Sequence, residues 1–351
     1  MIAHFHQPLT RRELLRQSAL GFGSLAFTSL LADTAAAAGK TPHFPARAKR
    51  VIFMFMKGGP SAIDTFDPKP ALDRDHGKPY PGQKPRVQFA ATGTLLRSPW
   101  KFKQYGQSGC PVSELFPHVA KCVDDICFVH SMHGTNPAHG GAVLKLHTGS
   151  DNFVRPSMGA WVAYGLGTEN ANLPAFITIC PTLAHGGVNN WGSAFLPADC
   201  AGLPIGNASV PAAEAKVRYL SNAKLPRDLQ RRQLDLLAEL NRDHLTATGP
   251  DLALEGRLHS FELAYRMQTA IPAVEDLSRE TPATKQLYGL DDPVTANFGR
   301  QLLLARRFAE RGVRFVQATF SDQLVQWDQH SNLKKGTRRT PARSTAPSPD
   351  Y

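Results

Sequence analysis

The sequence contains no Cys-x-x-Cys pair and no zinc-finger, RNA-recognition or helix-turn-helix pattern. Its five cysteines, Cys110, Cys122, Cys127, Cys180 and Cys200, stand singly, which argues against a zinc ribbon or a thioredoxin-type motif. Their odd number leaves at least one without an intrachain partner, and small buried hydrophobes are the plain reading of the set. No segment repeats internally. Near the N-terminus the apolar stretch "SALGFGSLAFTSLLA" is about 15 residues long, too short to span a bilayer comfortably. Acidic residues are also in the minority: 29 Asp and Glu stand against 40 Lys and Arg, for a net charge of +11. The basic residues are scattered, and no basic helix alternates with aromatics. The excess therefore reads as a generally basic surface rather than a nucleic-acid groove. Such a surface attracts anionic substrates, sulfated or phosphorylated polymers among them.

The chain is 351 residues long, 42% hydrophobic and 20% charged. That is enough apolar content for one large α/β domain or two modest ones, and it excludes a disordered chain or a coiled coil. The first 38 residues read as an address. "TRRELLR" precedes the short apolar stretch, and "DTAAAAGK" then offers small-residue cleavage sites. That order is the order of an export signal, and the paired Arg11 and Arg12 make it resemble a twin-arginine leader. The reading expects recognition by the twin-arginine export machinery, a mature chain beginning near Ala38 or Gly39, and a periplasmic or extracellular location. An ordinary amphipathic helix is the alternative, but the stretch lacks polar positions at helical spacing.

Downstream, "RVIFMFMKGGPS" (50–61) is an almost unbroken apolar run closed by glycines, as in a strand buried on both faces of a parallel sheet. Residues 68–110 are rich in Pro, Lys and Gly and read as a long surface excursion. "DICFVHSMH" (125–133), "AFITIC" (175–180) and "VRFVQATF" (313–320) are expected as three more strands. Helices are expected from Ala138 to His147 and over "SMGAWVAYGL". From about Pro211 to Arg311 apolar residues recur at three- and four-residue spacing, which predicts a helical region ending at Gly312. Strands alternating with helices predict an α/β protein, an αβα sandwich around a mostly parallel sheet.

Sites in such folds form at the carboxyl ends of the strands, and four clusters fall there. After the first strand come Ser61, Asp64 and Asp67; a carboxylate here suits a hard metal, or caps a helix. In "SMHGTNPAHGGAVLKLHTG" (131–149), Asn136-Pro137 reads as an N-cap followed by the first helical position. That would set Thr135 just outside the positive end of the helix, a place for a hydroxyl nucleophile or a bound anion, with His130, His133 and His139 around it. His185 and Asn189 in "AHGGVNNWGSAF" are candidate substrate contacts, or part of a turn. Asp328 and His330 lie two apart in "WDQH" and could face one ion if that segment is extended.

The stretches "RVIFMFMKGGPSAIDTFDPKP", "SMHGTNPAHGGAVLKLHTG", "RPSMGAWVAYGLG" and "WDQHSNLKKG" together resemble the bacterial domain-of-unknown-function 1501 family, placed with the alkaline phosphatase and sulfatase superfamily. The resemblance covers about residues 44–336, within a partial domain taken as 39–336. It implies an alkaline phosphatase-like sandwich and a site holding divalent metal (Zn, Ca or Mg). There a hydroxyl or thiol at a helix N-terminus attacks the phosphorus or sulfur of an anionic ester. On that pattern Thr135 and His139 are the catalytic candidates; Ser61, His133, His185 and Asn189 bind substrate; Asp64, Asp328 and His330 hold metal. Thr-x-Pro-x-His (135–139) is similar to the sulfatase Cys-x-Pro-x-Arg motif, but Thr replaces the modifiable Cys, so a formylglycine mechanism is not supported. Residues 337–351, "TRRTPARSTAPSPDY", do not resemble the family and are expected to be a disordered tail on a C-terminally truncated, incomplete domain; a natural short tail is the alternative. The functional expectation is an exported hydrolase of sulfate or phosphate esters, impaired by lost site residues. A noncatalytic exported binder of anionic polysaccharide and an inactive fragment are the competing expectations. No nucleic-acid partner and no membrane span in the mature chain are expected.

Overall fold

A computed structural model of the chain describes residues 45, 47–84, 92–320, 327–330 and 333–335. The chain divides into two units, Met1–Lys49 and Arg50–Tyr351, and everything below concerns the second. The expected export signal and the expected tail lie outside the described residues.

Among the described residues six strands and eight α-helices form. The strands are β1 (Val51–Met56), β2 (Phe102–Tyr105), β3 (Cys110–Ser113), β4 (Phe176–Ile179), β5 (Leu203–Ile205) and β6 (Phe315–Phe320). The helices are α1 (Ala62–Thr65), α2 (Pro70–Arg74), α3 (His139–Thr148), α4 (Met158–Leu166), α5 (Arg227–Thr248), α6 (Leu252–Glu275), α7 (Pro282–Leu287) and α8 (Ala296–Glu310). Four strands make one all-parallel sheet in the order β1-β6-β4-β5, while β2 and β3 form a separate antiparallel pair. The expected α/β class with a parallel central sheet is what forms. Among the described residues no helix is long and apolar enough to cross a membrane.

Strand β6 is buried along its whole length because it is flanked by β1 and β4 and covered on both faces. Its side chains alternate between two cores. On one face Phe315 joins Phe53 and Phe176 against Ala160 and Ala163 of α4. On the other, Val316 joins Ile177 and Ile179 against Leu303, Leu304 and Phe308 of α8 and Ile271 and Val274 of α6. The apolar stripe of α8, spaced three and four apart in the sequence, is thus the stripe that meets the sheet. Small residues set the spacing on the α4 side: a Cβ at Gly159 would lie 2.6 Å from the Phe176 ring, and one at Gly202 2.7 Å from it.

Three expectations fail. Residues 126–130 are not a strand; they leave a 3-10 turn (Val119–Asp125) without pairing, and Val129 is 66% exposed. Their short apolar run carries strand composition, but β6 and not this segment takes the place beside β1. The surface excursion at 68–110 contains β2 and the start of β3, which a Pro at position 111 conceals. Strand β5 was not anticipated, because Pro204 sits in its middle. Cys180 N–H donates to the Ile205 carbonyl, so Ile205 faces β4 and Pro204, one residue earlier, faces the edge that no described strand pairs.

A helical glycine replaced by alanine ordinarily gains about 0.5–1 kcal/mol. At Gly299 the sign reverses, because a Cβ would lie 1.8 Å from the Tyr288 carbonyl oxygen. Gly299→Ala is expected to destabilise by about 1–3 kcal/mol in urea unfolding.

His147 offers a second test. It is 2% exposed, edge-on to Phe55 at 4.7 Å, and its Nδ1 donates to the Val143 carbonyl at 2.8 Å. Its Nε2 is buried with no partner among the described residues. Burial holds its pKa below the usual 6.5, against a smaller upward pull from the Val143 carbonyl. The unfolded chain therefore binds more protons on the acid side of 6.5, and this group's contribution is intact above 6.5 and lost as pH falls below it. Comparing His147→Phe with the parent at about pH 5 and about pH 7.5 should show a smaller acid-side loss of stability in the variant.

Candidate metal centre

Three carboxyl ends of the sheet and the start of α3 supply the site. After β1 the chain turns through Gly58 and Gly59, both in the left-handed region with φ of 91° and 76°. After β4 it runs through Pro181 to His185, itself at φ 57°. A non-glycine residue there needs to be held, and buried Asn190, in the 3-10 turn Gly187–Asn190, donates from Nδ2 to the His185 carbonyl at 3.0 Å. Beyond β6, Trp327 is buried and stacked on Phe116 at 5.7 Å, in a cluster with Trp100, Val112, Phe298 and Phe320. That anchor sets the direction in which Asp328 and His330 leave.

Asp328 Oδ2 lies 2.8 Å from His139 Nε2 and 2.6 Å from His330 Nε2. A single carboxylate oxygen accepting from both rings makes each Nε2 a donor in this state. The three residues form a potential metal-ligand group, with donor atoms within 4.8 Å of one another. His139 and Asp328 are half-buried, and His330 is exposed. His185 stacks on His139 at 5.1 Å with the rings 21° apart. The His185 pKa is lowered, first by burial, then by its electrostatic interaction with neighbouring His139 and Lys57, with Asp328 pulling the other way. The His139 ring also lines a groove of about 410 Å³ with Met54, Met56, Gly58, Gly59 and Leu146.

Thr135 lies in the loop before α3 and has polar partners of its own. Its hydroxyl donates to Asp151 Oδ2 at 3.1 Å and accepts from Lys145 Nζ at 2.7 Å. The helix that follows starts two residues later than the Asn-Pro pair suggests: Ala138 is the cap and His139 the first helical residue. Asn136 instead accepts from the Ala138 N–H at 2.9 Å, a turn that competes with direct capping.

Of the residues singled out from the sequence, Asp328, His330 and His139 come together, with His185 against them. Asp64, expected to hold metal, is buried in α1 and is not part of the group. Ser61 precedes α1 as an exposed residue whose side chain makes no capping bond. His133 is exposed, and Asn189 is half-buried in the 3-10 turn. His130 sits 3.7 Å from Asp67, whose carboxyl is held low chiefly by the hydrogen bond from Lys69. Sequence reasoning missed Lys145 and Asp151. Both flank a helix end marked by Gly149, and no spacing rule ties them to a threonine ten and sixteen residues back.

The fold and this group define an α/β protein with histidine and carboxylate side chains converging at the carboxyl end of a parallel sheet. The chain belongs to the family described as Protein of unknown function (DUF1501), which matches residues 48–347. Comparison with curated proteins and with solved structures finds no match.

Removal of the Trp327 anchor separates its role from that of the polar groups. Trp327→Ala is expected to cost about 3–5 kcal/mol of stability by urea unfolding, typical of a buried Trp truncated in place.

Proposed function

We propose that this protein is an exported, divalent-metal-dependent hydrolase of sulfate or phosphate esters. The observation that carries this reading is the convergence of His139, Asp328 and His330 beside a groove at the strand ends. Two imidazoles and one carboxylate, with donor atoms this close, fit a zinc-type ion better than calcium or magnesium, which favour all-oxygen shells. A bound divalent ion would polarise the ester and stabilise the departing oxygen. The chain's own residues do the rest. His139, Asp328 and His330 would hold the ion once their bridging protons are lost, which makes binding weaker at acid pH. His185 stacks behind His139 and limits the tilt of its ring. The Thr135 hydroxyl is the nucleophile, and the basic surface, net +11, draws in the anionic ester. Export by the twin-arginine machinery to the periplasm or beyond follows from the leader-like first 38 residues.

A second reading has its own support. Trp161, Tyr164 and Phe195 form an exposed aromatic patch, with Trp161 edge-on to Tyr164 at 6.2 Å and to Phe195 at 5.9 Å. Flat exposed rings of this kind stack on the apolar faces of sugars, which suits a noncatalytic binder of anionic polysaccharide.

The two readings part in one experiment. Titration of the metal-free chain with zinc by calorimetry should show binding that is lost in Asp328→Ala, and chelator-sensitive turnover of para-nitrophenyl phosphate or sulfate should accompany it. A chain that melts cooperatively yet neither binds zinc nor turns over either ester overturns the hydrolase. Retention on a sulfated polysaccharide that survives Asp328→Ala but not Trp161→Ala supports the binder.

A further inference from the structure

Threonine hydroxyls in this chain usually satisfy nearby backbone. Thr65 donates to the Ser61 carbonyl, Thr148 to Leu144, Thr246 to Arg242 and Thr248 to His244, each four residues back. These are local structural bonds. Thr135 is different. Its proton goes to the carboxylate of Asp151, and its lone pair faces the Lys145 amine. Both partners are charged, and the hydroxyl is exposed to solvent.

The three groups are also fixed in place. Lys145 is on α3, and its carbonyl accepts from Gly149 N–H at 2.8 Å as that glycine turns left-handed to close the helix. Asp151 follows two residues on. Asn136, next to Thr135, packs onto α3 where Gly141 leaves room; a Cβ at Gly141 would lie 2.1 Å from Asn136 Nδ2. A hydroxyl held between an acceptor carboxylate and an amine is set up as an activated nucleophile, because deprotonation has a receiver and the resulting charge has a counter-ion.

We propose that Asp151, Thr135 and Lys145 form the nucleophile assembly of the enzyme, with Asp151 as general base and Lys145 as the cation that stabilises the attacking oxygen and the ester's free oxygens. The proposal rests on the ester-hydrolase reading above. Thr135 Oγ1 attacks phosphorus or sulfur as its proton passes to Asp151 Oδ2. The new Oγ1–P or Oγ1–S bond forms while the bond to the leaving oxygen breaks with its electron pair, and a para-nitrophenolate departs without needing a proton. Water then attacks the same centre and loses a proton to solvent. The bond to Oγ1 breaks, and Asp151 returns its proton to Thr135. The assembly does not need the His139–Asp328–His330 group to deprotonate its hydroxyl.

The test uses the full chain with zinc and para-nitrophenyl phosphate or sulfate. Thr135→Val should lower kcat at least about 100-fold, and Thr135→Ser should retain about a tenth or more of it. Asp151→Asn is the discriminating variant: its amide oxygen still accepts the Thr135 hydrogen bond but is not a base, so a merely structural clamp would survive it. A loss of about 100-fold is expected there too, with acid-quenched peptide mass spectrometry finding the phospho- or sulfo-group on Thr135 in the parent and not in Thr135→Val. Zinc binding should be unchanged in all three variants. Turnover within about twofold of the parent in both Thr135→Val and Asp151→Asn overturns the assembly while leaving the metal-dependent hydrolase standing. Zinc binding with no turnover of either ester also overturns it, and absence of both zinc binding and turnover removes the wider reading as well.

Discussion

The indole of Trp327 is the constraint on which the site depends. It lies flat on Phe116 and against Phe320, the last residue of β6, inside a cluster that also holds the β2–β3 pair and Phe298 of α8. Buried aromatic area of this kind is among the larger single contributions a side chain makes to stability. Because Asp328 follows Trp327 directly, the carboxylate can swing only as far as one peptide unit permits. His139 then meets it from the opposite direction, from the first turn of a helix packed over Phe53 and Phe55 through His147. The polar group at the surface is thus held by two apolar anchors approaching from different elements.

The rest of the architecture serves that convergence. A parallel sheet sends all its carboxyl ends to one rim, where the turns after β1 and β4 lie. Burial on both faces demands apolar residues at every position of the central strand, or polar ones that tolerate burial, as Gln317 and Thr319 do in β6. Close approach of α4 demands glycine at 159 and 202, both against Phe176. The helical half of the chain stiffens the opposite face, where Arg307 donates to the Val274, Ala273 and Asp276 carbonyls and pairs with Glu280, fastening the end of α6 to α8.

Much of this was legible before any coordinates. β1, β4 and β6 announce themselves as continuous apolar runs, and α8 as an amphipathic stripe closed by Gly312. Asp328 and His330 were visible as a pair and His139 as a candidate, because strand ends and helix starts are where chemistry gathers. What failed did so for local reasons. Residues 125–133 carry strand composition without a place in the sheet, and composition cannot say which segment wins a pairing position. Asp64, in the stretch after β1, is buried in α1 and does not join the His139–Asp328–His330 group. Lys145 and Asp151 escaped because their link to Thr135 is a tertiary hydrogen bond with no periodic trace.

The two borders of the sheet are chemically unlike. At β5 the outward position is Pro204, which has no hydrogen to offer a neighbouring backbone. At β1 the outward residues are ordinary amides on a strand whose Met54 side chain is 57% exposed. Among the described strands, main-chain pairing at the sheet's border is therefore better accommodated at β1 than at β5. The β1 flank adjoins the groove next to His139, so the border better suited to pairing and the location of the sheet's polar chemistry coincide.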